Sequence, residues 1–306
     1  MQSTQPMQPD PQPKRSFGRT LLYFLLGLVA LMVLASVFGR FLGGDGFGDG
    51  REKIALVEIT GEISDSSEIV RQLSKYRRDD DIKAVLLRID TPGGAVAPSQ
   101  EIYDEVLRVR EKKKVYVSMA SLAASGGYYI AVAADRVYAN PGTLTGSIGV
   151  IMAFGNARKL MDKIGLEPMV VKSGKFKDVG SPTRAMTTDE RAYLQSVVDD
   201  VHQQFIEVVA KGREMTPEEA GKLADGRVFS GRQALKLKMV DEMGGLEDVI
   251  KQLAKDVGIE GRPKVMVEEP PKKFMDWLME GSVAKEIRTH VAPIRYPGLK
   301  YLWSPG

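Results

Sequence analysis

Ser125 stands between two alanines and two glycines in the stretch Ser121-Leu122-Ala123-Ala124-Ser125-Gly126-Gly127-Tyr128-Tyr129-Ile130-Ala131. The stretch follows the strand-like run Lys114–Met119 and leads into a small-residue helical run at Ala131–Ala134. A serine where a strand turns into a helix has a pared-down backbone around it and a helix N-terminus beneath it, which suits a nucleophile. The same composition suits a helix cap in a tight turn. A nucleophilic Ser125 needs a base, and the chain has no cysteine and two histidines. His202 falls mid-way along a long helical pattern and His290 near the C-terminus, so a lysine is the remaining candidate. A lysine serves only where its surroundings favour the neutral amine, which alone has a lone pair to take the serine proton. Lys172, Lys175 and Lys177 lie within six residues after a strand-like run, a pattern that also fits a solvated basic loop. Backbone donors for a developing oxyanion are offered by Gly93 and Gly94 in Asp90-Thr91-Pro92-Gly93-Gly94-Ala95 and by Gly126.

These residues need a frame, and from Lys53 onward the pattern alternates strands with helices. Ile54–Ile59 and Ala84–Ile89 read as strands, the second almost wholly apolar as a strand covered on both faces should be. Glu68–Arg78, Ser99–Lys112, Asn156–Ile164 and Thr187–Arg213 read as helices, the last opened by a threonine with Asp189 and Glu190 in its first turn. Arg136–Ala139, Ser147–Ile151, Met169–Val171 and Lys264–Val267 complete the expected strands. The result is an α/β core with helices packed on a β-sheet. Before it, 1–19 is expected to be a disordered cytoplasmic tail, 20–42 a transmembrane anchor and 43–52 a flexible tether. Thr20–Gly39 carries no charge and has Lys14, Arg15 and Arg19 on its N-terminal side, which places that end in the cytoplasm and the remainder across the membrane. The catalytic region is expected at 53–261. The segment 262–306 would hold a last strand, a short amphipathic piece around Phe274–Met279 and an aromatic, proline-broken tail that is not expected to join the core.

The five segments Asp90–Gly94, Ser118–Tyr129, Thr145–Val150, Ser173–Asp178 and Gly226–Ala234 together resemble the bacterial signal peptide peptidase A family, in that family's order. The resemblance covers about Lys53 to Val257 and implies a membrane-anchored serine–lysine protease of Clp protease/crotonase-like fold. It implies Ser125 as nucleophile, Lys177 as general base, Ser147 as the serine that hydrogen-bonds the lysine amine, and Gly93, Gly94 and Gly126 as oxyanion donors. Asp90-Thr91 departs from the commoner Asn-Ser before Pro-Gly-Gly. A single such unit, as in the family's short members, implies a homo-oligomeric ring whose active sites take serine and lysine from neighbouring subunits. The implied substrates are signal peptides and other apolar peptides, and the implied location is the bacterial inner membrane with the catalytic domain on its outer side.

A net charge of +3, with 43 basic residues interspersed among 40 acidic ones, gives no reason to expect nucleic acid as a partner. No metal or other cofactor is expected, since neither histidine sits in a zinc-binding pattern. The competing readings are a related membrane serine–lysine protease that trims specific membrane proteins, a non-catalytic ring-forming membrane scaffold, and a crotonase-type acyl-CoA enzyme. The scaffold leaves Ser125, Lys177 and Ser147 without a purpose, and the acyl-CoA enzyme leaves the anchor without one.

Overall fold

The computed structural model describes residues 23–34, 52–268 and 299–303. The chain divides into two units, residues 1–51 and residues 52–306. In the first, residues 23–34 form helix α1, with its side chains exposed. Among the described residues no helix is long and apolar enough to cross a membrane. The remainder of the expected 20–42 anchor, the disordered tail, the tether up to residue 51 and the amphipathic piece at 274–279 lie outside the described residues.

The second unit runs β1 (Lys53–Thr60), α2 (Ser67–Arg78), β2 (Ile82–Thr91), β3 (Gly93–Ala95), α3 (Val96–Arg110), β4 (Lys114–Ala124), α4 (Gly126–Ala131), β5 (Arg136–Ala139) and β6 (Leu144–Gly146). It continues with α5 (Arg158–Ile164), α6 (Thr188–Gly212), α7 (Pro217–Lys222), β7 (Val228–Ser230), α8 (Gly231–Lys236), β8 (Glu242–Met243), α9 (Leu246–Asp256), β9 (Lys264–Val267) and β10 (Lys300–Leu302). The main sheet has the order β7-β6-β4-β2-β1-β9, with β5 pairing β4 and β8. All its pairs are parallel except β6 with β7.

Strand alternation divides the apolar residues between two layers. Ala55, Val57 and Ile59 face a core with Leu73 and Tyr76 of α2, Ile102 and Val106 of α3 and Phe205 and Val209 of α6. Ile54 and Leu56 face the other side, with Ala84, Leu86, Tyr116 and Tyr138, beneath Val249, Ile250 and Leu253 of α9. A parallel sheet needs cover on both faces, and β2, buried along most of its length, has it.

Four local expectations are corrected. The helix after Ser125 starts at Gly126 and ends at Ala131, and Val132–Ala134 form its exit turn. Leu144–Gly146 is the strand, one step before the expected Ser147–Ile151, since the glycine and serine at its end take left-handed backbone angles that stop the ladder. Met169–Val171 is irregular, with Met169 91% and Val171 97% exposed and, among the described residues, no strand paired with it. The tail does join the core: Lys300–Leu302 is a strand antiparallel to β3, and Tyr301 is fully buried. Three extended residues suffice for that pairing, so prolines at 297 and 305 on either side do not prevent it.

Candidate active site

Strand β4 delivers Ser125. Its first half pairs with β2 and β5 and its last residues with β6, in the register Leu122↔Leu144, Ala123↔Thr145 and Ala124↔Gly146. The Ser125 N–H continues that ladder to the Gly146 carbonyl at 2.7 Å, and the Ser125 carbonyl accepts from the Tyr129 N–H at 2.8 Å as α4 begins. Between those bonds the backbone turns through φ 54° and ψ −113°. A left-handed φ at a non-glycine residue costs on the order of 1–3 kcal/mol and persists only where its surroundings hold it. Sharp strand-to-helix turns of this kind present nucleophilic serines elsewhere. A structural cap would bond its hydroxyl to the helix N-terminus, but Ser125 makes no such bond. Among the described residues its buried Oγ has no hydrogen-bond partner, a costly arrangement for a residue that only closes a turn.

Close packing explains the glycines beside it. A methyl group on Gly126 would lie 2.6 Å from Ser99 Oγ and 3.3 Å from the Gly93 α-carbon. The Gly126 N–H opens α4, where the first amides have no partner within the helix. Gly126→Ala is therefore expected to push α4 away from Ser99 and Gly93, reducing peptide turnover about 10²-fold or more while the chain stays folded, as read by kcat/KM alongside a thermal melt.

The Pro92-Gly93-Gly94 turn meets Ser125 through this contact. Gly93 adopts φ 96°, and its N–H donates to Thr91 Oγ1 at 3.0 Å. Fully buried Thr91 in turn donates its hydroxyl to the Gly61 carbonyl, and Asp90 Oδ1 accepts from the Leu122 N–H at 3.1 Å. The departure at Asp90-Thr91 thus braces the turn against β1 and β4. Strand β3 hydrogen-bonds on one edge to Ile63, through Ile63 N–H to Gly93 O at 2.9 Å and Ala95 N–H to Ile63 O at 2.7 Å. On its other edge it pairs with β10.

Ser147 lies just past β6 as Ser125 lies just past β4. It too is buried with a left-handed φ of 52°, and its N–H donates to the Arg227 carbonyl at 2.8 Å. Neighbouring ladder ends thus carry the two serines.

Lys177 lies elsewhere, in a run of turns that is exposed, and it makes no hydrogen bond to Ser125 Oγ within the chain. Its neighbours are committed: Lys172 Nζ binds Asp178 at 2.5 Å and Lys175 Nζ binds Asp189 at 2.5 Å. Arg184 ties the whole turn down. Its guanidinium reaches Asp178 Oδ1 at 2.9 Å and also Glu190, which is buried in the first turn of α6 and completes a capping box with Thr187. The Arg184 hydrogen bonds, then that from the Thr187 amide, hold the Glu190 carboxyl at about 2, and Arg184 and Lys172 depress Asp178 further. A depressed carboxyl stabilises the fold above its ordinary value and loses that contribution as pH falls through the folded value. Hydrogen exchange of residues 172–186 should accelerate between about pH 4.5 and pH 2, and in Arg184→Gln this acid step should shrink because the anchor is already gone. The 172–190 anchor was invisible in sequence, because partners six residues apart follow no helical or strand period.

Comparison with known proteins gives the family. Peptidase family S49 matches residues 108–260, and the Clp protease family matches residues 51–145. A relative from Synechocystis sp., named as a protease, is 40% identical over 233 residues, covering 76% of this chain and 84% of its own. One from Enterococcus faecium, named as a signal peptide peptidase, is 35% identical over 68% of this chain and 65% of its own. A chloroplastic serine protease of Arabidopsis thaliana is 31% identical over 73% of this chain, though over 35% of its own length. With a mixed α/β fold built on a parallel sheet, this chain belongs to peptidase family S49, the signal peptide peptidase A family, and is a serine peptidase.

Proposed function

We propose that this chain is a membrane-anchored endopeptidase that degrades remnant signal peptides and similar apolar peptides, using Ser125 as nucleophile and Lys177 as base. The observation that carries this reading is the buried, unpartnered Ser125 Oγ on a strained turn beside the Gly126 N–H. The Ser125 oxygen adds to a peptide carbonyl carbon while its proton passes to the lysine amine. That ammonium returns the proton to the amide nitrogen as the C–N bond breaks, leaving an ester on Ser125. Water then gives a proton to the amine and its oxygen to the ester carbonyl, and the ammonium returns that proton to the Ser125 oxygen as the acyl C–O bond breaks, which frees the peptide's new carboxyl group and the serine. Gly126, with Gly94 from the facing turn, supplies amides to the oxyanion, the Gly93 amide being held by Thr91 Oγ1, and Ser147 steadies the lysine amine.

The lysine comes from a neighbouring copy in a ring. Supporting this, the segment leading to Lys177 exposes the apolar side chains of Ile164, Leu166, Met169, Val170, Val171 and Phe176, surface of the kind a neighbouring copy would cover. The charge-free run Thr20–Gly39 is the anchor, and it holds the ring at the outer face of the bacterial inner membrane where apolar peptides emerge.

The test uses the full chain in detergent micelles with a synthetic peptide bearing a signal-peptide apolar segment. Fragments should accumulate by mass spectrometry, while a tightly folded soluble protein in the same tube stays whole. Absence of peptide fragments, or equal cutting of the folded protein, overturns the proposal.

A further inference from the structure

A lysine base and an aspartate next to it in the chain work against each other. A carboxylate within about 6 Å of an ammonium favours the charged form, which has no lone pair to take the serine proton. Asp178 follows Lys177 directly, in a run of turns closed by bonds from the Lys177 N–H to Gly174 O at 3.2 Å and from the Ser181 N–H to Asp178 O at 3.1 Å. Both Asp178 carboxylate oxygens are nevertheless taken by other cations. Arg184 Nε donates to Oδ2 and Arg184 Nη2 to Oδ1, each at 2.9 Å, and Lys172 Nζ donates to Oδ1 at 2.5 Å. The Arg184 bonds first, then the one from Lys172, hold this carboxyl well below the usual carboxylate range. Asp178 is therefore charged whenever Lys177 could act, and its charge has to be balanced where it stands.

The guanidinium that does so is itself fixed. Arg184 Nη1 donates to Glu190 Oε2 at 2.9 Å and to the Ala185 carbonyl at 3.1 Å, and Glu190 is buried. A two-pronged guanidinium–carboxylate pair carries geometric specificity that a lone ammonium lacks. On the other side of Lys177, the Phe176 ring packs on Tyr193 of α6 at 5.2 Å between centroids, with Lys175 Nζ 5.4 Å from the Phe176 centroid. Glu190 and Tyr193 lie three residues apart on α6, so the residues before and after Lys177 are fastened to one helix face.

The other charges here are balanced in the same way. Asp189 of α6 pairs with Lys175 at 2.5 Å, and Asp162 of α5 with Arg158 at 3.8 Å. The entry to α5 is bonded to this turn, through the Ala157 N–H to Pro182 O at 2.7 Å. Arg191 of α6 lines the same cleft as Arg184, and Glu167 is exposed in the open stretch after α5. Asp162, Asp178, Asp189 and Glu190 each have a cation, while exposed Lys177 has no carboxylate partner among the described residues.

We infer that Arg184 is a positioning residue for the base: by holding both oxygens of Asp178 against α6, it keeps the adjacent carboxylate from capturing Lys177 as an ion pair. The inference rests on the reading of Lys177 as the general base and adds the group that leaves its amine available. Lys172 is the second cation on Asp178, so loss of Arg184 leaves that carboxylate half balanced beside the base.

The experiment follows kcat/KM of the full chain in micelles between about pH 6 and pH 10, on a fluorogenic apolar peptide. In Arg184→Gln the midpoint of the alkaline rise should move up by about one unit. Turnover near pH 7 should then fall about tenfold and return to within about threefold of the parent above the new midpoint. Arg184→Gln/Asp178→Asn should bring the midpoint at least halfway back, because the freed carboxylate is gone. Arg184→Lys, which keeps the charge, should stay closer to the parent midpoint than Arg184→Gln. A turn that is merely loosened lowers the rate equally at every pH, and the second substitution does not repair it. If Arg184→Gln fails to fold, Asp178→Asn alone decides: Arg184 and Lys172 then stand unbalanced, and the midpoint should move down. An unmoved midpoint in folded Arg184→Gln, no recovery in the double variant, or a midpoint in Asp178→Asn that stays or rises overturns this inference and leaves the base standing. A parent profile that is flat with pH, or full turnover by Lys177→Ala, overturns both.

Discussion

Ser125→Ala is expected to lower kcat/KM for an apolar peptide by about 10⁴-fold or more, since removing a nucleophile leaves only the binding and oxyanion contributions. The same change should leave stability unaltered or slightly raised. Among the described residues the Ser125 Oγ has no partner to lose, and an unsatisfied buried hydroxyl carries a desolvation cost that alanine does not. Alanine keeps the strained φ of 54°, so the turn itself gains nothing. The opposed movements of activity and melting temperature separate a nucleophile from a helix cap, whose loss costs about 1 kcal/mol of stability. Peptide turnover and a thermal melt on the same preparation check both. Activity within tenfold of the parent would remove Ser125 from the chemistry.

The second large effect concerns which lysine works and where it comes from. Lys177→Ala should lower turnover about 10³-fold or more, whereas Lys172→Ala and Lys175→Ala should remain within about tenfold. Lys172 and Lys175 are engaged by Asp178 and Asp189, so their ammonium groups serve the loop. Within one chain Lys177 makes no hydrogen bond to Ser125 Oγ. Mixing Ser125→Ala chains with Lys177→Ala chains, under conditions that allow subunits to exchange, should restore part of the activity because some sites then receive an intact serine and an intact lysine. A mixture as inactive as its components would confine the site to a single chain.

The parts legible in the sequence were those governed by local periodicity. Ile54–Ile59 and Ala84–Ile89 are buried strands because their apolar runs allow no other partner than two covering layers. Helix α6 begins where Thr187 and Glu190 form their capping box. What escaped depended on residues far apart in sequence. Met169–Val171 has strand composition, yet no neighbour supplies a ladder and the segment stays open. Tyr301 is buried because Gly93–Ala95 and Ile151 leave a slot between them, a fact no window around residue 301 contains. The helix after Ser125 was expected too late because Gly126 and Gly127 are poor helix formers; contacts with Ser99 and Thr91 leave room for nothing larger.

The two serines stand one residue beyond the same rung, Ala124 beside Gly146, on adjacent parallel strands. Their spacing is thus a property of the sheet, about 4.8 Å between strands, and not of the intervening chain. Residues 126–143, with α4 and β5, can lengthen or shorten at their exposed turns over evolutionary time without moving one hydroxyl relative to the other. Slipping β6 by one residue against β4 would do what no loop insertion does, turning Ser147 to the opposite face. The heritable constraint on this pair is therefore strand register, and homologous chains should tolerate length changes at Pro141–Gly142 far better than any insertion within Leu144–Gly146.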